Sequence, residues 1–250
     1  LARMIGNFNF NLQRIRERCV SNRQELTGLF GVNMDLIRTI KIQDSDPHNK
    51  GQRVAIIEFQ DGTHIVYKPR DIRIDAHVVG ARQSISELVN QGMQTSRHQE
   101  LVKSFIDSCS STVDRDKHTE LVKAWETRAA AVGPKLSTYK FLACEDEIGP
   151  YGFVEYLAYS AEDSTFDTAQ EARTYYRQMG RLAGIARIFG ITDLHQENIL
   201  VHRKFPHLID LEFTYDYQTL IGTKATYFTL ISSACLYGHS AQNVVYFGNI

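Results

Sequence analysis

The sequence predicts an α+β chain of two-lobed architecture, and three observations carry that expectation. Short stretches of alternating apolar and polar residues cluster between residues 36 and 68. The clearest helical pattern comes much later, over residues 170–189. A stretch of helical character through residue 35 precedes both.

Leu12, Ile15 and Cys19 recur at helical spacing in that first stretch. Residues 36–42, Leu-Ile-Arg-Thr-Ile-Lys-Ile, alternate as a half-buried strand does. Residues 53–59 and 63–68 are second and third strands, and Asp61-Gly62 between them predicts a two-residue hairpin loop. Pro69 stops the third strand. A helix is expected over residues 76–90, followed by a polar, charged and helical stretch to residue 132. Residues 136–143 and 152–157 read as further short strands. The helix over 170–189 gathers Tyr175, Met179, Leu182, Ala183 and Ala186 on one face. A loop, a short strand ending near Leu211 and a mixed apolar tail complete the chain.

Bulk composition narrows the function classes. Hydrophobic residues make up 43% of the 250, enough for a core without disulfides or a structural metal. A formal net charge of -1 gives no general attraction to nucleic acid or to an anionic membrane. Phosphate chemistry must therefore come from local clusters of charge. No apolar run approaches the roughly 20 residues of a membrane span, and no signal peptide is evident. Cys19, Cys109, Cys144 and Cys235 lie far apart and lack zinc-ligand spacing, which fits idle thiols in a reducing cytoplasm. The chain starts at Leu1 rather than methionine, which suggests a piece of a longer protein.

The strongest chemical signal is Ile-Thr-Asp-Leu-His-Gln-Glu-Asn-Ile-Leu at 191–200, followed by His-Leu-Ile-Asp-Leu-Glu at 207–212. Phosphoryl transfer needs a carboxylate to orient the attacking hydroxyl and oxygen ligands to hold Mg²⁺ on the phosphates. Asp193 suits the first role; Asn198 and Asp210 suit the second. His195 belongs near the transferred phosphate. Asp and Asn in loops also cap helices, but capping does not account for the whole constellation with an apolar strand before Asp210. The Asp-x-His-x-x-Asn order resembles the catalytic loop of lipid kinases.

Lys68 ends the third strand, where an ammonium can reach nucleotide phosphates. Glu87, on the helix after it, is the candidate carboxylate partner, though that helix could simply expose it. Asp46 and His48 lie in the polar loop at 44–51, where kinases carry a glycine-rich phosphate cover. Only Gly51 is glycine there, and Pro47 also allows a plain polar turn. Residues 152–157 read first as a buried core strand. As a segment joining two lobes they could also bind adenine, with Glu155 and Tyr156 as the candidates.

Five motifs, Asp-Pro-His-Asn-Lys-Gly, Tyr-Lys-Pro-Arg, Gly-Phe-Val-Glu-Tyr, Thr-Asp-Leu-His-Gln-Glu-Asn and Leu-Ile-Asp-Leu-Glu, stand in this order. From about residue 1 to residue 213 the chain thereby resembles the N-terminal dehydratase domain of class II (LanM-type) lanthipeptide synthetases. The resemblance implies a kinase-like, lipid-kinase-like core that uses ATP and Mg²⁺ to phosphorylate serine and threonine of a precursor peptide carrying a leader. Elimination of the phosphate then leaves dehydroalanine or dehydrobutyrine. Carried over, Lys68, Asp193, His195, Asn198 and Asp210 serve phosphorylation, and Asp46 and His48 serve elimination. A separate zinc cyclase domain closes thioether rings in such proteins; its Cys and Cys-His-Gly motifs are absent here. The arginine and threonine that the family uses downstream for elimination also find no match.

The expected organisation is an N-terminal helical segment at 1–35, a β-rich N-lobe-like region with a helical insertion at 36–150, and a C-lobe-like region at 151–250. Together they form one truncated catalytic domain of a cytoplasmic enzyme, a peptide Ser/Thr phosphotransferase and phosphate lyase. Two other readings remain at this stage: a stand-alone kinase-fold phosphotransferase without elimination, and an inactive kinase-like module that binds a peptide or partner.

Overall fold

A computed structural model describes residues 2–48, 51–92, 135–191, 194 and 197–211, with residues 116, 117, 119, 120 and 123 between them. Alternation builds its central sheet. In β2 (Ala55–Phe59), Ala55, Ile57 and Phe59 are buried and the residues between them are half-buried. In β3 (His64–Lys68), Ile65 and Tyr67 join one apolar cluster while Val66 packs against another on the opposite side. A period of two allows one strand to serve both faces. With β1 (Ile37–Ile42), β4 (Phe141–Asp146) and β5 (Gly149–Glu155), these strands form a five-stranded antiparallel sheet of order β1-β2-β3-β5-β4. β5 thus crosses the expected division at residue 150 and belongs to the same sheet as the strands before it.

The turn between β2 and β3 is longer than the two residues expected. Phe59 N–H donates to the Thr63 carbonyl at 2.9 Å, leaving Gln60, Asp61 and Gly62 in the loop. Gly62 takes a φ of 82°, the left-handed position that a three-residue hairpin requires.

Helices α1 (Ala2–Ser21) and α2 (Arg23–Phe30) cover one face of the sheet. Ile15, Cys19 and Leu26 pack there against Ala55, Ile57, Ile65, Tyr67 and Phe153. Arg18 is also on the inward side and only 2% exposed. Its guanidinium meets both Asp146 oxygens at 2.8 Å, donates to Gln52 Oε1 at 2.9 Å and bonds to the Tyr67 hydroxyl. It also lies 3.9 Å from the centre of the Tyr151 ring. A buried cation needs such a full set of partners.

The opposite face is covered by α3 (Arg73–Val79), α4 (Ile85–Gly92) and α5 (Ala169–Ile188). A single helix over 76–90 was the expectation; two are present. Gly80 pairs with Tyr139 in a parallel bridge, and Ala81 N–H donates to the Tyr139 carbonyl at 2.8 Å, which draws the backbone out of helix. Ser84 then restarts it, accepting from Glu87 N–H at 3.0 Å. Asn90 exchanges two hydrogen bonds with Leu136, donating to its carbonyl at 3.0 Å and accepting from its N–H at 2.7 Å.

α5 starts with a capping box between Thr168 and Glu171. A hairpin follows, β6 (Ile199–His202) paired with β7 (Phe205–Leu208). Its turn residues Arg203 and Lys204 both take positive φ, 51° and 66°. Lys204 reaches back to Glu171 at 3.0 Å, tying the turn to the start of α5. Leu182, Ile185, Ile191, Leu194, Leu208 and Leu211 bury against Ile72, Val78 and Val154, so hairpin, helices and sheet share one core. No helix of the described residues is long and apolar enough to cross a membrane.

Candidate active site

The β6/β7 register explains how two residues twelve apart in sequence come together. Ile199 pairs with Leu208, so Asn198 and Asp210 flank the open end of the same hairpin. Ile209 N–H donates to the Asn198 carbonyl at 2.9 Å, which extends the pairing to that end. Asn198 is 8% exposed. On its N-terminal side the chain is pinned by buried Ile191 and Leu194.

Asp210 faces the end of β3. Lys68 Nζ lies 3.1 Å from Asp210 Oδ1, and the Arg70 guanidinium bonds to the same oxygen. Arg70 also meets Asp75 of α3 at 3.0 and 3.3 Å, and Asp75 is fully buried. Asp75 Oδ1 accepts in addition from Leu211 N–H at 3.1 Å. Tyr139 donates its hydroxyl to the Leu208 carbonyl at 2.9 Å, and burial holds that phenol neutral by pushing its pKa well up. Burial alone would raise the Asp210 carboxyl, but Lys68 and Arg70 outweigh it and hold the group below the ordinary carboxylate range. Arg70 is shifted upward despite burial because Asp75 and Asp210 stand against it.

β3 is held close to α3 by the absence of a side chain on its neighbour. Gly152 pairs with Lys68, and a Cβ added at Gly152 would lie 2.2 Å from Ile72 Cδ1 and 2.7 Å from the Leu142 carbonyl oxygen. Ile72 fills that space immediately before α3.

The sequence marks Lys68 and Asp210 as candidate residues and pairs Lys68 with Glu87. The structure instead gives Lys68 the Asp210 carboxylate, while the Glu87 side chain accepts from Gln83 N–H and from Gln91 Nε2 at 2.9 Å. Glu87 is occupied at the start of α4 as the last member of Ser84-x-x-Glu87. Arg70 and Asp75 were missed as a site pair. Their signal was slight: a second cation after Pro69 and an acid five residues on.

Asp46 is exposed and His48 half-buried, and His48 forms a bridge with Gln52 at 2.7 and 2.8 Å. Among the described residues neither side chain bonds or ion-pairs with Lys68 or Asp210. Gln52, held by Arg18 and Tyr67, anchors the end of their loop. Glu155 ends β5; its N–H donates to the Lys140 carbonyl at 2.9 Å and its carboxylate accepts from Lys140 N–H at 3.0 Å. The Tyr156 ring lies 5.0 Å from His64. Asp193 and His195 lie outside the described residues.

Oxygen donors from one Asp and one Asn suit a hard cation such as Mg²⁺, which keeps several waters and takes further ligands from phosphates. The half-open Asp210 carboxylate, 41% exposed and kept ionised, fits that use. No cluster of three or more His, Cys, Asp or Glu among the described residues forms an all-protein cage. Cys19 and Cys144 form no disulfide, and burial pushes their thiols up to about 12 and about 11, which disfavours the thiolate.

Over 62 residues the chain is 40% identical to the Lacticin 481/lactococcin biosynthesis protein LcnDR2 of Lactococcus lactis subsp. lactis. That stretch covers 25% of this chain and 6% of the relative, so the chain matches a small part of a much longer protein. The model of the family described as Domain of unknown function (DUF4135) matches residues 1–103 and 112–234, and the chain belongs to that family.

Proposed function

We propose that this chain phosphorylates serine and threonine hydroxyls of a ribosomal precursor peptide with ATP, on a kinase-like fold, as the dehydratase part of a lanthipeptide synthetase. The observation that carries the reading is the meeting of Lys68 with Asp210 at the mouth of the hairpin that also carries Asn198. Similarity to a protein named for lacticin 481/lactococcin biosynthesis supports the same direction.

Asp193 orients the attacking hydroxyl and takes its proton. A bond forms from that oxygen to the terminal phosphorus while the bond to ADP breaks. Lys68 holds phosphate oxygens at the end of β3, and His195 lies beside them. Asn198 and Asp210 would hold Mg²⁺, which when bound would supply charge neutralisation on the phosphates. Because the Glu155 amide is taken by Lys140, adenine contacts fall to the backbone from Tyr156 onward. In the longer protein, loss of the α-proton and departure of phosphate form a carbon–carbon double bond. Asp46 and His48 are the residues of this chain for that step, with a gain of about 10²–10⁴-fold for positioned groups. Leader binding and a zinc cyclase domain complete the partners of such a protein.

Intact-mass analysis of a Ser/Thr-rich precursor peptide with this chain, ATP and Mg²⁺ tests the proposal. A gain of one phosphate per site is expected, and loss of one water per site would add elimination to this chain. Retained phosphate in the longer protein would favour a simple phosphotransferase. No mass change and no nucleotide binding would leave a peptide-binding module.

A further inference from the structure

Asp210 receives two cations on one oxygen, and they are held differently. Arg70, 8% exposed, is fixed from behind by both Asp75 oxygens. Among the described residues Lys68 meets no carboxylate except Asp210. A planar guanidinium braced by a fully buried acid is immobile, whereas an ammonium on a flexible stem can change partner.

The backbone at Asp210 adds a second reason for a brace. Its φ of 63° lies in the left-handed region, which a non-glycine residue keeps only when its surroundings hold it. Two bonds flank it: Ile209 N–H to the Asn198 carbonyl, and Leu211 N–H to Asp75 Oδ1. Asp75 therefore fixes both the guanidinium that grips Asp210 and the amide that follows it.

We propose that Arg70, braced by Asp75, is a positioning residue that grips Asp210 by Oδ1 and presents Oδ2 to a divalent cation. This rests on the reading of Asp210 as a metal ligand. Lys68 can leave Oδ1 for a nucleotide phosphate, and Arg70 then keeps the carboxylate in place. The two basic residues of Tyr-Lys-Pro-Arg thus divide the work: Lys68 serves the phosphate and Arg70 serves the metal ligand.

Binding of mant-ADP to the 250-residue chain, titrated with and without Mg²⁺, reads this division without turnover. Arg70→Gln is expected to raise the Mg²⁺ half-saturation about tenfold, the effect of losing one charge-assisted anchor, while metal-free mant-ADP affinity stays as in wild type. Asp75→Asn should do the same more weakly. Lys68→Gln should weaken mant-ADP with and without Mg²⁺ alike. Circular dichroism identifies folded variants. If Arg70→Gln does not fold, Arg70→Lys keeps the charge, loses the fork and is still expected to raise the Mg²⁺ requirement. A folded Arg70→Lys or Arg70→Gln variant with the wild-type Mg²⁺ requirement overturns the positioning role alone. So does an Arg70→Gln variant that loses metal-free and metal-dependent affinity in parallel. A wild-type chain that binds no mant-ADP overturns the kinase reading and this inference together.

Discussion

Lys68 Nζ and Asp210 Oδ1 meet at 3.1 Å although 142 residues separate them in sequence. The contact joins the end of β3 to the second residue after the β6/β7 hairpin, two segments with no local reason to be neighbours. It places a cation and an anion on the side of the sheet where α3 begins.

If that pair is the phosphate and metal pole of a phosphotransferase, neither member is replaceable. Lys68→Met and Asp210→Asn are each expected to lower phosphate incorporation about 10²-fold or more, as losses of electrostatic stabilisation do. Time-resolved peptide mass spectrometry gives the rate. Wild-type rates in a folded Asp210→Asn variant would remove the catalytic assignment.

Asp146→Ala leaves Arg18 buried without its carboxylate. Removing one partner of such a pair is expected to lower stability by about 3 kcal/mol, at the low end of the usual range because the Asp146 side chain is 19% exposed. Urea unfolding measures it. A loss below about 1 kcal/mol would mean that Gln52, Tyr67 and water suffice for the guanidinium.

Gly152→Ala drives a methyl into Ile72, 2.2 Å away, and toward the Leu142 carbonyl oxygen. Overpacking of this kind costs about 1–3 kcal/mol. Adding Ile72→Val should recover part of the loss, because the two side chains share one space. Additive losses in the double variant would show that the Leu142 backbone, not Ile72, is the obstacle.

His207 is 7% exposed, and burial depresses its pKa to about 4. Between pH 6.5 and about 4 the unfolded chain holds a proton there that the folded chain refuses. Stability is therefore full above pH 6.5 and falls on acidification, with a limiting slope of about 1.4 kcal/mol per pH unit from this group. Urea midpoints at pH 7.5, 6 and 5 should show the decline, and His207→Gln should flatten it. An equal decline in that variant would assign the acid sensitivity elsewhere.

The local part of the fold was legible. Alternation in 36–42, 53–59 and 63–68 marked three strands, and the apolar face of 170–189 marked α5, because burial of one face leaves its period in the sequence. What failed was non-local or already spent. Glu87 looked available for Lys68, yet its capping partner Ser84 stands three residues before it. Gly80 was a local sign of the boundary after α3, but its partner Tyr139, which draws the backbone out of helix there, lies far along the chain. Arg18 reads as an ordinary surface arginine until Asp146 is known to sit beside it. Arg70 acquires meaning only through a contact 140 residues away.

Asn90 and Leu136 hold each other through two reciprocal hydrogen bonds, an amide side chain imitating a strand edge. One amide side chain thereby satisfies both backbone polar groups of Leu136, a residue only 3% exposed. Losing it would strand a buried donor and a buried acceptor at once, so the end of α4 and the approach to β4, 46 residues apart, stand or fall on a single side chain.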